Sequence, residues 1–460
     1  MNKFKTQMRA LTNAKVHFIG AGGIGMCGLA ELLHNLGAKV TGSDVQENHQ
    51  VLRLRELGVP IFIGHQGEQI GEAEVVVYSS AIKTHNEEYR EARRRGVPLI
   101  PRAEALAELM QLKRGIAVAG THGKTTTTSM TASIFLNAKV DPTIIVGGRL
   151  AIIKSSAQLG KGEWLLVEAD ESDGSFNRLS PELVIITNID NDHMDYYKDF
   201  ENLKSAFYDF ASRVPFYGCA ILCGDDPKIR EVFVDFPKRT LFYGFEQGND
   251  FILTGESCQY QVSTKEGALG DLKVPVPGKH NALNALAAVV AGMAAGLDYT
   301  ICAEGIAQFQ GVDRRFQSKG EVLGVHFFDD YGHHPTEVQA VLSGFKDGFP
   351  DRRLVVLFQP HRYSRTQLCW EQFLGSFGYA DQLFMSDIYP AGEAAIQGVD
   401  SKRLVQQMDH PQASYINIET QEGPQLIADS LKQGDVFVTL GAGSVWKVGE
   451  SIKEILKEKG

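Results

Sequence analysis

The chain has 460 residues, a formal net charge of −10, and 43% hydrophobic against 22% charged residues. This length predicts several domains, because single hydrophobic cores stop growing at about 250 to 300 residues. The acidic balance argues against general binding of nucleic-acid backbones, which requires clustered lysines and arginines. We therefore expect no nucleic-acid partner, and we expect any bound phosphate to sit at a local motif.

The six cysteines form no C-x-x-C pair and show no zinc-like spacing with histidine, which indicates reduced thiols. The first residues lead directly into a Gly-rich turn, without the apolar core and cleavage site of a signal peptide. The most apolar long stretch, residues 282–297, is shorter than the roughly 20 residues that span a bilayer. We expect a cytoplasmic protein that binds no membrane and is a monomer or a weak homodimer.

The first part of the chain alternates between strand and helix signals. A strand at residues 15–19, a Gly-rich turn and an apolar-periodic helix at 26–36 open a βαβ unit. Further strand signals follow at residues 39–42, 60–63 and 74–80. This pattern predicts a doubly wound sheet over residues 14–112.

Two further regions repeat the alternation. Strand signals lie at residues 115–119, 164–167 and 183–187, while short β-like runs over 242–276 predict an antiparallel edge. Later strand signals at residues 325–328, 354–358, 382–385 and 436–440 each lead into polar or glycine residues, which should face a cleft. We predict three α/β domains, at residues 1–112, 113–316 and 317–460.

The first motif is GAGGIG at residues 20–25, which lies between a strand and a helix and has Asp44 near the end of the next strand. Its glycines let the backbone approach a diphosphate, and the helix N-terminus offers oriented N–H donors. From these residues alone, a dinucleotide, another nucleotide diphosphate and a structural tight turn all remain open.

The second motif, GTHGKT at residues 120–125, predicts a phosphate cradle. Backbone N–H groups would surround the phosphates, Lys124 would neutralise them, and the Thr125 hydroxyl could ligate Mg²⁺. The motif departs from the full eight-residue P-loop, because Val118 stands where the first glycine is expected.

Two acidic motifs, EADESD at residues 168–173 and NIDNDHMD at 188–195, directly follow strands. Carboxylates at a strand end of a P-loop domain are placed to hold Mg²⁺ directly or through water. A neutral imidazole at His193 could ligate a second ion, although a lone histidine is more often an ordinary hydrogen-bonded residue. The metal candidates are therefore Thr125, Glu168 and His193.

These motifs, with PGKHNALN at residues 277–284 and DRRF at 313–316, occur in an order that resembles the Mur ligase family over essentially the whole chain. The resemblance implies an N-terminal Rossmann-like domain for a UDP-sugar, a central P-loop ATPase-type α/β domain, and a C-terminal Rossmann-like α/β domain for an amino acid. It also implies that the first motif binds UDP rather than a dinucleotide. The implied UDP-sugar contacts are Gly20, Gly22, Gly23, Gly25, Met26, Asp44, Ser79 and Ser80.

Two C-terminal segments, DDYGHHPT at residues 329–336 and QPHRYSR at 359–365, are similar to those of family members that add the first amino acid. The resemblance implies ATP-dependent ligation of L-alanine to the lactyl carboxylate of UDP-N-acetylmuramate, through an acyl phosphate, in peptidoglycan precursor synthesis. It implies two Mg²⁺ ions and three catalytic residues, Lys124, His193 and Arg314. The implied ATP contacts are Gly120, Thr121, His122, Gly123, Lys124, Thr125, Thr126, Asn284, Arg314 and Asp330. The implied amino-acid contacts are Tyr331, His333, His361, Arg362 and Arg365.

Several alternatives remain at this point. Within the ligases these are a muramate ligase that recycles peptides and a folate polyglutamate ligase. From other classes, a nicotinamide-dependent oxidoreductase leaves residues 120–125 unexplained, and a nucleotide-switch protein needs no separate acceptor domain. Some family members carry a carbamylated lysine near the metals, but the comparable position here is Phe207, so we expect no such modification.

Overall fold

The computed structural model describes residues 12–79, 81–150, 152–153 and 155–459. These residues form three β-sheets and divide into two compact units. The first unit runs to Gly255 and also includes Gln259–Pro275 and Leu283–Gln310, and it holds two of the sheets. The second unit consists of Glu256–Cys258, Val276–Ala282 and the chain from Gly311, and it holds the third sheet. Helices lie between most of the consecutive parallel strands in each sheet, which confirms the predicted α/β class with three domains.

The first sheet has five strands that pair in parallel in the order β3-β2-β1-β4-β5. The strands are β1 (Lys15–Ile19), β2 (Lys39–Asp44), β3 (Ile61–Ile63), β4 (Val75–Tyr78) and β5 (Leu99–Pro101). The helices are α1 (Ile24–Asn35), α2 (His49–Glu56), α3 (Glu87–Arg95) and α4 (Arg102–Met110). Strand order reverses beside β1, so a ligand crevice is expected beyond the carboxyl ends of β1, β2 and β4.

Burial explains why these segments adopt their structure. Phe18 and Ile19 of the central strand β1 are fully buried, as expected for a strand covered on both faces. Helix α1 turns apolar side chains such as Leu29 inward, and Gly37 with φ +91° follows its end. At Gly28 a Cβ would stand 3.1 Å from the Cβ of Ala157, so this helix lies close to the second sheet.

The second sheet has ten strands in the order β15-β14-β13-β12-β11-β10-β6-β9-β7-β8. The strands are β6 (Arg114–Ala119), β7 (Thr143–Leu150), β8 (Ser155–Gln158), β9 (Trp164–Glu168), β10 (Leu183–Ile186), β11 (Cys219–Cys223), β12 (Thr240–Gly244), β13 (Phe251–Glu256), β14 (Gln259–Thr264) and β15 (Gly267–Lys273). The helices are α5 (Lys124–Asn137), α6 (Met194–Tyr197), α7 (Phe200–Ala211), α8 (Pro227–Val232), α9 (Lys279–Ala294) and α10 (Tyr299–Ala307).

The centre and the edge of this sheet differ in strand direction. β6 lies between β9 and β10 and pairs in parallel with both. The predicted antiparallel edge is confirmed for β14 and β15, whereas β12 pairs in parallel with β11 and β13. The loops that follow β6, β9 and β10 therefore open side by side, at the carboxyl ends of these parallel strands.

The third sheet has six strands in the order β16-β17-β21-β18-β19-β20, with only the β16–β17 pair antiparallel. The strands are β16 (Gln317–Val322), β17 (Val325–Asp330), β18 (Leu354–Phe358), β19 (Gln382–Met385), β20 (Ala413–Tyr415) and β21 (Val436–Leu440). The helices are α11 (Pro335–Gly348), α12 (Tyr363–Leu368), α13 (Trp370–Leu374), α14 (Ser401–Gln407), α15 (Glu422–Ser430) and α16 (Val445–Lys459).

One strand is longer than the sequence predicts. β17 continues past residue 328 to Asp330, so that two carboxylates become part of a central strand. Asp329 is buried but accepts hydrogen bonds from the Thr439 hydroxyl at 2.7 Å and from Nε of Arg314 at 3.0 Å. Partners distant in sequence thus make a buried acidic strand end possible.

The longest apolar stretch of the sequence belongs to α9, whose central residues are almost all buried. Within the described ranges, no helix combines the length and the apolarity needed to cross a membrane.

The packing in the core of the second sheet predicts how a substitution there changes the free energy of unfolding. Phe207 on α7 is fully buried, and its ring meets that of Phe176 edge-on at a centroid distance of 5.4 Å. We expect Phe207→Ala to lower the free energy of unfolding by about 3 to 5 kcal/mol, because it deletes a buried ring and leaves a cavity. Urea-induced unfolding of the purified chain measures the difference.

Phe216 is the matched control, because it lies in the same sheet region but is 94% exposed. Phe216→Ala should change the free energy of unfolding by no more than about 0.5 kcal/mol. Equal losses in the two variants would contradict the assigned packing.

Candidate active site

The glycine turn after β1 is fixed by the carboxyl end of β2. The backbone amides of Gly20 and Ala21 both donate to the carbonyl oxygen of Ser43, at 2.9 and 2.8 Å. The Gly22 amide donates to Oδ2 of Asp44 at 2.8 Å, and the Asn48 side chain donates to the Gly22 carbonyl at 3.0 Å. The turn therefore has one defined shape before any ligand binds.

Space around the turn explains why glycines occupy it. A Cβ at Gly22 would stand 2.8 Å from Asp44 Oδ2, and one at Gly25 would stand 2.7 Å from Nη1 of Arg102. A Cβ at Gly20, whose φ is +82°, would lie 3.1 Å from Cβ of Ser79. Side chains at these positions would collide with the groups that shape the turn.

The structure brings together most of the predicted UDP-sugar contacts. Seven of them lie in or beside this turn: Gly20, Gly22, Gly23, Gly25, Met26, Asp44 and Ser79. Ser80 lies outside the described residues. Asn48 and Arg102 were missed, although Asn48 carries the sequence signal of a helix N-cap and caps α2 through the amide of Val51.

The second glycine turn, between β6 and α5, contains the residues of the predicted phosphate cradle, and we refer to it as the cradle. Gly120 has φ +131°, and a Cβ there would lie 2.0 Å from Oγ1 of Thr187, so only glycine fits. The His122 amide donates to the Asn188 side chain at 2.8 Å. The segment after β10 therefore holds the cradle from one side.

Lys124 lies at the centre of the cradle. Its ammonium group donates to the carbonyl oxygens of Gly120 at 2.7 Å and Thr121 at 3.1 Å, and to Oε1 of Glu171 at 2.8 Å. Burial lowers the pKa of Lys124, but Glu171 and Asp170 more than offset it, so the pKa lies above its ordinary value. Lys124 is thus a fixed positive charge at the place where phosphates are expected.

Thr125 and Glu168, two of the predicted metal ligands, are in direct contact. The Thr125 hydroxyl donates to Oε1 of Glu168 at 2.9 Å, and the Gly147 amide donates to Oε2 at 2.7 Å. Burial raises the pKa of the Glu168 carboxyl group above its ordinary value. A nearby cation would relieve that cost by favouring the charged form.

Glu171 connects His193 to the cradle. Its Oε1 lies 3.5 Å from Nε2 of His193, and its Oε2 is buried without a hydrogen-bond partner among the described residues. A buried carboxylate oxygen without a partner, on a side chain that also approaches an imidazole, is a group that a divalent cation could satisfy. Glu171 was not among the predicted ligands, although it stands in the acidic run that predicted Glu168.

The remaining predicted ATP contacts of the first unit adjoin the same loop. A Cβ at Gly123 would stand 2.6 Å from Oδ1 of Asn284, which also accepts from the Thr127 hydroxyl at 3.0 Å. Nε2 of His122 lies 3.1 Å from Oδ2 of Asp190. Thr126 is buried in the first turn of α5.

The second unit holds Arg314 and Asp330. Asp330 accepts hydrogen bonds from the amides of Phe316 at 2.7 Å and Gly332 at 2.8 Å, and burial raises its pKa to about 6. Nη2 of Arg314 donates to the Gly441 carbonyl at 2.5 Å, while its guanidinium lies 4.9 Å from the centre of the Tyr331 ring. Both residues are therefore tied to the loops at the carboxyl ends of β17 and β21.

The predicted amino-acid contacts form one cluster in the second unit. The rings of Tyr331 and His333 meet edge-on at 5.5 Å, and His333 lies 5.6 Å from His361. Nη1 of Arg365 lies 3.4 Å from Nδ1 of His361. Arg362 is the next residue in the same turn, where it adopts φ +69°.

Tyr389 also belongs to this cluster, and no local pattern in the sequence predicts it. Its ring stacks on His361 with an angle of 10° between the planes, and its carbonyl accepts the Arg362 amide at 2.8 Å. The contact joins the loops after β18 and β19, which are neighbours only in the folded sheet. It therefore supports the unusual backbone of Arg362.

The ring of His361 should remain neutral at physiological pH. Burial, with the nearby His333 and Arg365, lowers its pKa to about 3. Because protonation costs more in the folded state than in water, the ring should stay uncharged as pH falls from 8 to 5. Nitrogen chemical shifts of histidine-labelled protein measure this directly, and protonation of His361 near its ordinary value of about 6.5 would contradict the geometry.

Family models and solved structures of known proteins match this chain over most of its length. Residues 15–114 match the Mur ligase family catalytic domain, residues 118–292 the Mur ligase middle domain, and residues 314–443 the Mur ligase glutamate ligase domain. Among solved structures, UDP-N-acetylmuramate-alanine ligase from Thermotoga maritima has a TM-score of 0.81 and 27% identity, and the similarity covers 97% of this chain and 100% of that one. A murein peptide ligase from Psychrobacter arcticus shares the fold, with a TM-score of 0.71, 23% identity and coverage of 96% and 98%.

Curated relatives are closer in sequence. The UDP-N-acetylmuramate–L-alanine ligase of Bdellovibrio bacteriovorus is 60% identical over 445 residues, which cover 95% of this chain and 98% of that relative. The ligase of the same description from Geobacter sulfurreducens is 46% identical over 452 residues, covering 96% and 98%. With its three domain types matched in order and relatives matched over nearly its full length, the chain belongs to the Mur ligase family.

Proposed function

We propose that the chain catalyses ATP-dependent ligation of L-alanine to the lactyl carboxylate of UDP-N-acetylmuramate, a cytoplasmic step in the synthesis of the peptidoglycan precursor for the cell wall. The observation that carries this proposal is the 60% identity over 95% of the chain with a relative described by that reaction. The cradle around Lys124 and the cluster around His361 are our candidates for the two kinds of site that such a reaction needs, and this supports the proposal.

We assign one role to each predicted domain. Residues 1–112 bind the UDP-sugar at the turn that follows β1, residues 113–316 bind ATP at the cradle, and residues 317–460 bind L-alanine at the His361 cluster. This division argues against a nicotinamide-dependent oxidoreductase, because membership of the Mur ligase family accounts for both glycine turns. It leaves the peptide-recycling muramate ligase as the alternative within the family.

The proposed chemistry begins with activation of an unreactive carboxylate. A lactyl carboxylate oxygen attacks the γ-phosphorus of ATP, ADP leaves, and an acyl phosphate forms. The neutral amine of L-alanine then attacks the acyl carbon, phosphate leaves with the oxygen that bridged carbon and phosphorus, and the amine loses its proton. Lys124 offsets negative charge on the transferring group, and Arg314 is assigned the same task.

Thr125, Glu168 and His193 would hold Mg²⁺, with two ions implied by the family. Bound Mg²⁺ supplies positive charge beside the transferring phosphoryl group. The contact between Thr125 and Glu168 and the buried oxygen of Glu171 without a hydrogen-bond partner support this assignment. Phe207 is the position that we compare with the carbamylated lysine of some family members, and its burial beside Phe176 supports a site without that modification.

The acceptor cluster has the chemistry to hold a small amino acid. Arg365 offers a guanidinium for the carboxylate of alanine, and Tyr331 and His333 provide the walls of a small pocket. Neutral His361 adds no charge of its own, so Arg362 and Arg365 supply the positive charge of the cluster. Such a site favours a free amino acid over a longer peptide.

The acceptor choice tests the proposed function. When L-alanine and a tripeptide acceptor compete with UDP-N-acetylmuramate and ATP present, mass spectrometry of the products should show the alanyl product and no tripeptide product. Glycine and serine should react poorly but detectably, because one methyl group or hydroxyl changes binding by only about 1 to 3 kcal/mol in an apolar pocket. Preferential coupling of the tripeptide would favour the peptide-recycling alternative.

Lys124→Ala should abolish phosphate release in the presence of all substrates, because it removes the fixed charge of the cradle. Its affinity for UDP-N-acetylmuramate should stay within a few-fold of the parent chain, since that ligand is assigned to another domain. Calorimetry measures the affinity. Lys161→Ala removes an exposed lysine of the same domain and should leave both quantities unchanged. Retained turnover in folded Lys124→Ala would show that the cradle is assigned incorrectly.

His193→Ala should raise the Mg²⁺ concentration at which activity is half-maximal, because it removes one proposed ligand while Thr125 and Glu168 remain. A magnesium titration of initial rates measures the shift. His34→Ala, in the last turn of α1, is the histidine control and should leave the titration unchanged. An unaltered titration in His193→Ala would assign that side chain a structural role only.

A further inference from the structure

A buried carboxylate links three other polar side chains beneath the first glycine turn. Glu88, in the first turn of α3, is fully buried together with His17 and Ser43. Its Oε1 lies 3.1 Å from Nε2 of His17, and its Oε2 accepts from the Ser43 hydroxyl at 2.5 Å and lies 2.8 Å from Nδ1 of His65. Neither the proposed chemistry nor the predicted contacts include Glu88, His17 or His65.

The hydrogen bonds define which atoms donate. A carboxylate only accepts, so the three groups that face Glu88 are its donors. The Thr41 hydroxyl lies 2.8 Å from Nδ1 of His17, which leaves Nε2 of that ring to carry its proton. Because the Ser43 hydroxyl donates to Glu88, the nearby Nδ1 of His65, at 3.0 Å from that hydroxyl, carries the proton of its own ring.

This assignment leaves one acceptor for a ligand. In neutral His65 a proton on Nδ1 makes Nε2 an acceptor, and Nε2 makes no hydrogen bond within the described ranges. His65 follows Gly64, whose amide donates to the Asp44 carbonyl at 2.8 Å, at the carboxyl end of β2. Ligands of open α/β sheets bind beyond this edge.

The same network holds the glycine turn. Ser43, whose hydroxyl is bound by Glu88, offers its carbonyl to the amides of Gly20 and Ala21. Asp44, the next residue, accepts the Gly22 amide through its side chain. Fixing Ser43 therefore fixes the direction of the amides around the expected diphosphate.

We propose that Glu88 is a positioning residue of the nucleotide site, which orients the glycine turn through Ser43 and leaves Nε2 of His65 as an acceptor for a hydrogen-bond donor of the nucleoside. The donor is either a ribose hydroxyl or the N3–H of the uracil ring. This inference rests on the proposed function, because it takes the ligand to be a UDP-sugar.

Calorimetric titration of the full chain with UDP-N-acetylmuramate, and separately with ATP, tests the role of Glu88. Glu88→Ala should raise the dissociation constant for the UDP-sugar by about ten-fold or more, because three donors lose their acceptor. The dissociation constant for ATP should stay within about two-fold, since the cradle lies in another sheet.

Glu88→Gln is the conservative variant that should restore UDP-sugar binding. Its amide oxygen can still accept from Ser43 and His65, while its NH₂ group can donate to His17 if the proton of that ring moves to the nitrogen beside Thr41. Its dissociation constant should therefore stay within a few-fold of the parent chain. Normal binding by Glu88→Ala, or no recovery in folded Glu88→Gln, would overturn the positioning role.

His65→Ala tests whether Nε2 of His65 accepts a hydrogen bond from the nucleoside. This variant also keeps the inference testable if Glu88→Ala fails to fold. It should weaken UDP-sugar binding, whereas His34→Ala at the far end of α1 should not. UDP analogues with a 2′-deoxy sugar, a 3′-deoxy sugar or an N3-methyl base identify the donor. For the parent chain, one analogue should bind more weakly than unmodified UDP. For His65→Ala, the same analogue should bind as tightly as UDP does.

If every analogue loses as much affinity for His65→Ala as for the parent chain, His65 contacts no nucleoside donor and its part of the inference is wrong. If the parent chain itself does not bind UDP-N-acetylmuramate, the proposed function fails instead. The two failures are therefore distinguishable within one set of titrations.

Discussion

The buried ion pair between Lys124 and Glu171 is the interaction on which the centre of this protein depends. An ammonium and a carboxylate at 2.8 Å stabilise each other only if both stay paired, because the removal of one partner leaves an uncompensated charge away from water, at a cost of about 3 to 5 kcal/mol. Two loop carbonyls satisfy further protons of Lys124. The second oxygen of Glu171 has no partner in the described part of the chain, which leaves it free to receive a cation.

Strand order makes this pair possible. β6 lies between β9 and β10, so the loops that follow these three strands open side by side. Lys124 begins the helix that follows β6, Glu171 lies in the loop after β9, and His193 lies in the loop after β10. Lys124, Glu171 and His193 therefore come together from three separate segments of the chain, and the predicted sites of the first and third sheets lie beyond strand ends in the same way.

The sequence predicts those parts of the structure that are determined by residues close together in the chain. The bounds of β18, β19 and β21 agree with the hydrophobic runs that predicted them, because fully buried parallel strands are continuous apolar segments. Both glycine turns were found because their spacing is local, and the domain order followed from the family resemblance. The predicted domain boundaries and the individual site roles stay predictions.

Residues whose role depends on distant partners were not predictable in this way. Nothing near Glu171 in the sequence distinguishes it from the other carboxylates of its run, and only the fold places it against Lys124. Glu88 stands in a charged helix that looks solvent-exposed, yet Ser43, His17 and His65 surround it in the folded sheet. Tyr389 acquires its stacking partner His361 only when β18 and β19 become neighbours.

In the proposed reaction, ATP bound at the cradle phosphorylates the lactyl carboxylate, and the amine then attacks the acyl phosphate. Transfer of ¹⁸O from a labelled lactyl carboxylate tests it most directly, with mass spectrometry of the phosphate released in a complete reaction with L-alanine and ATP. We expect one ¹⁸O atom in each phosphate, because the bridging oxygen leaves with phosphorus. Unlabelled phosphate, or label found in AMP, would contradict it.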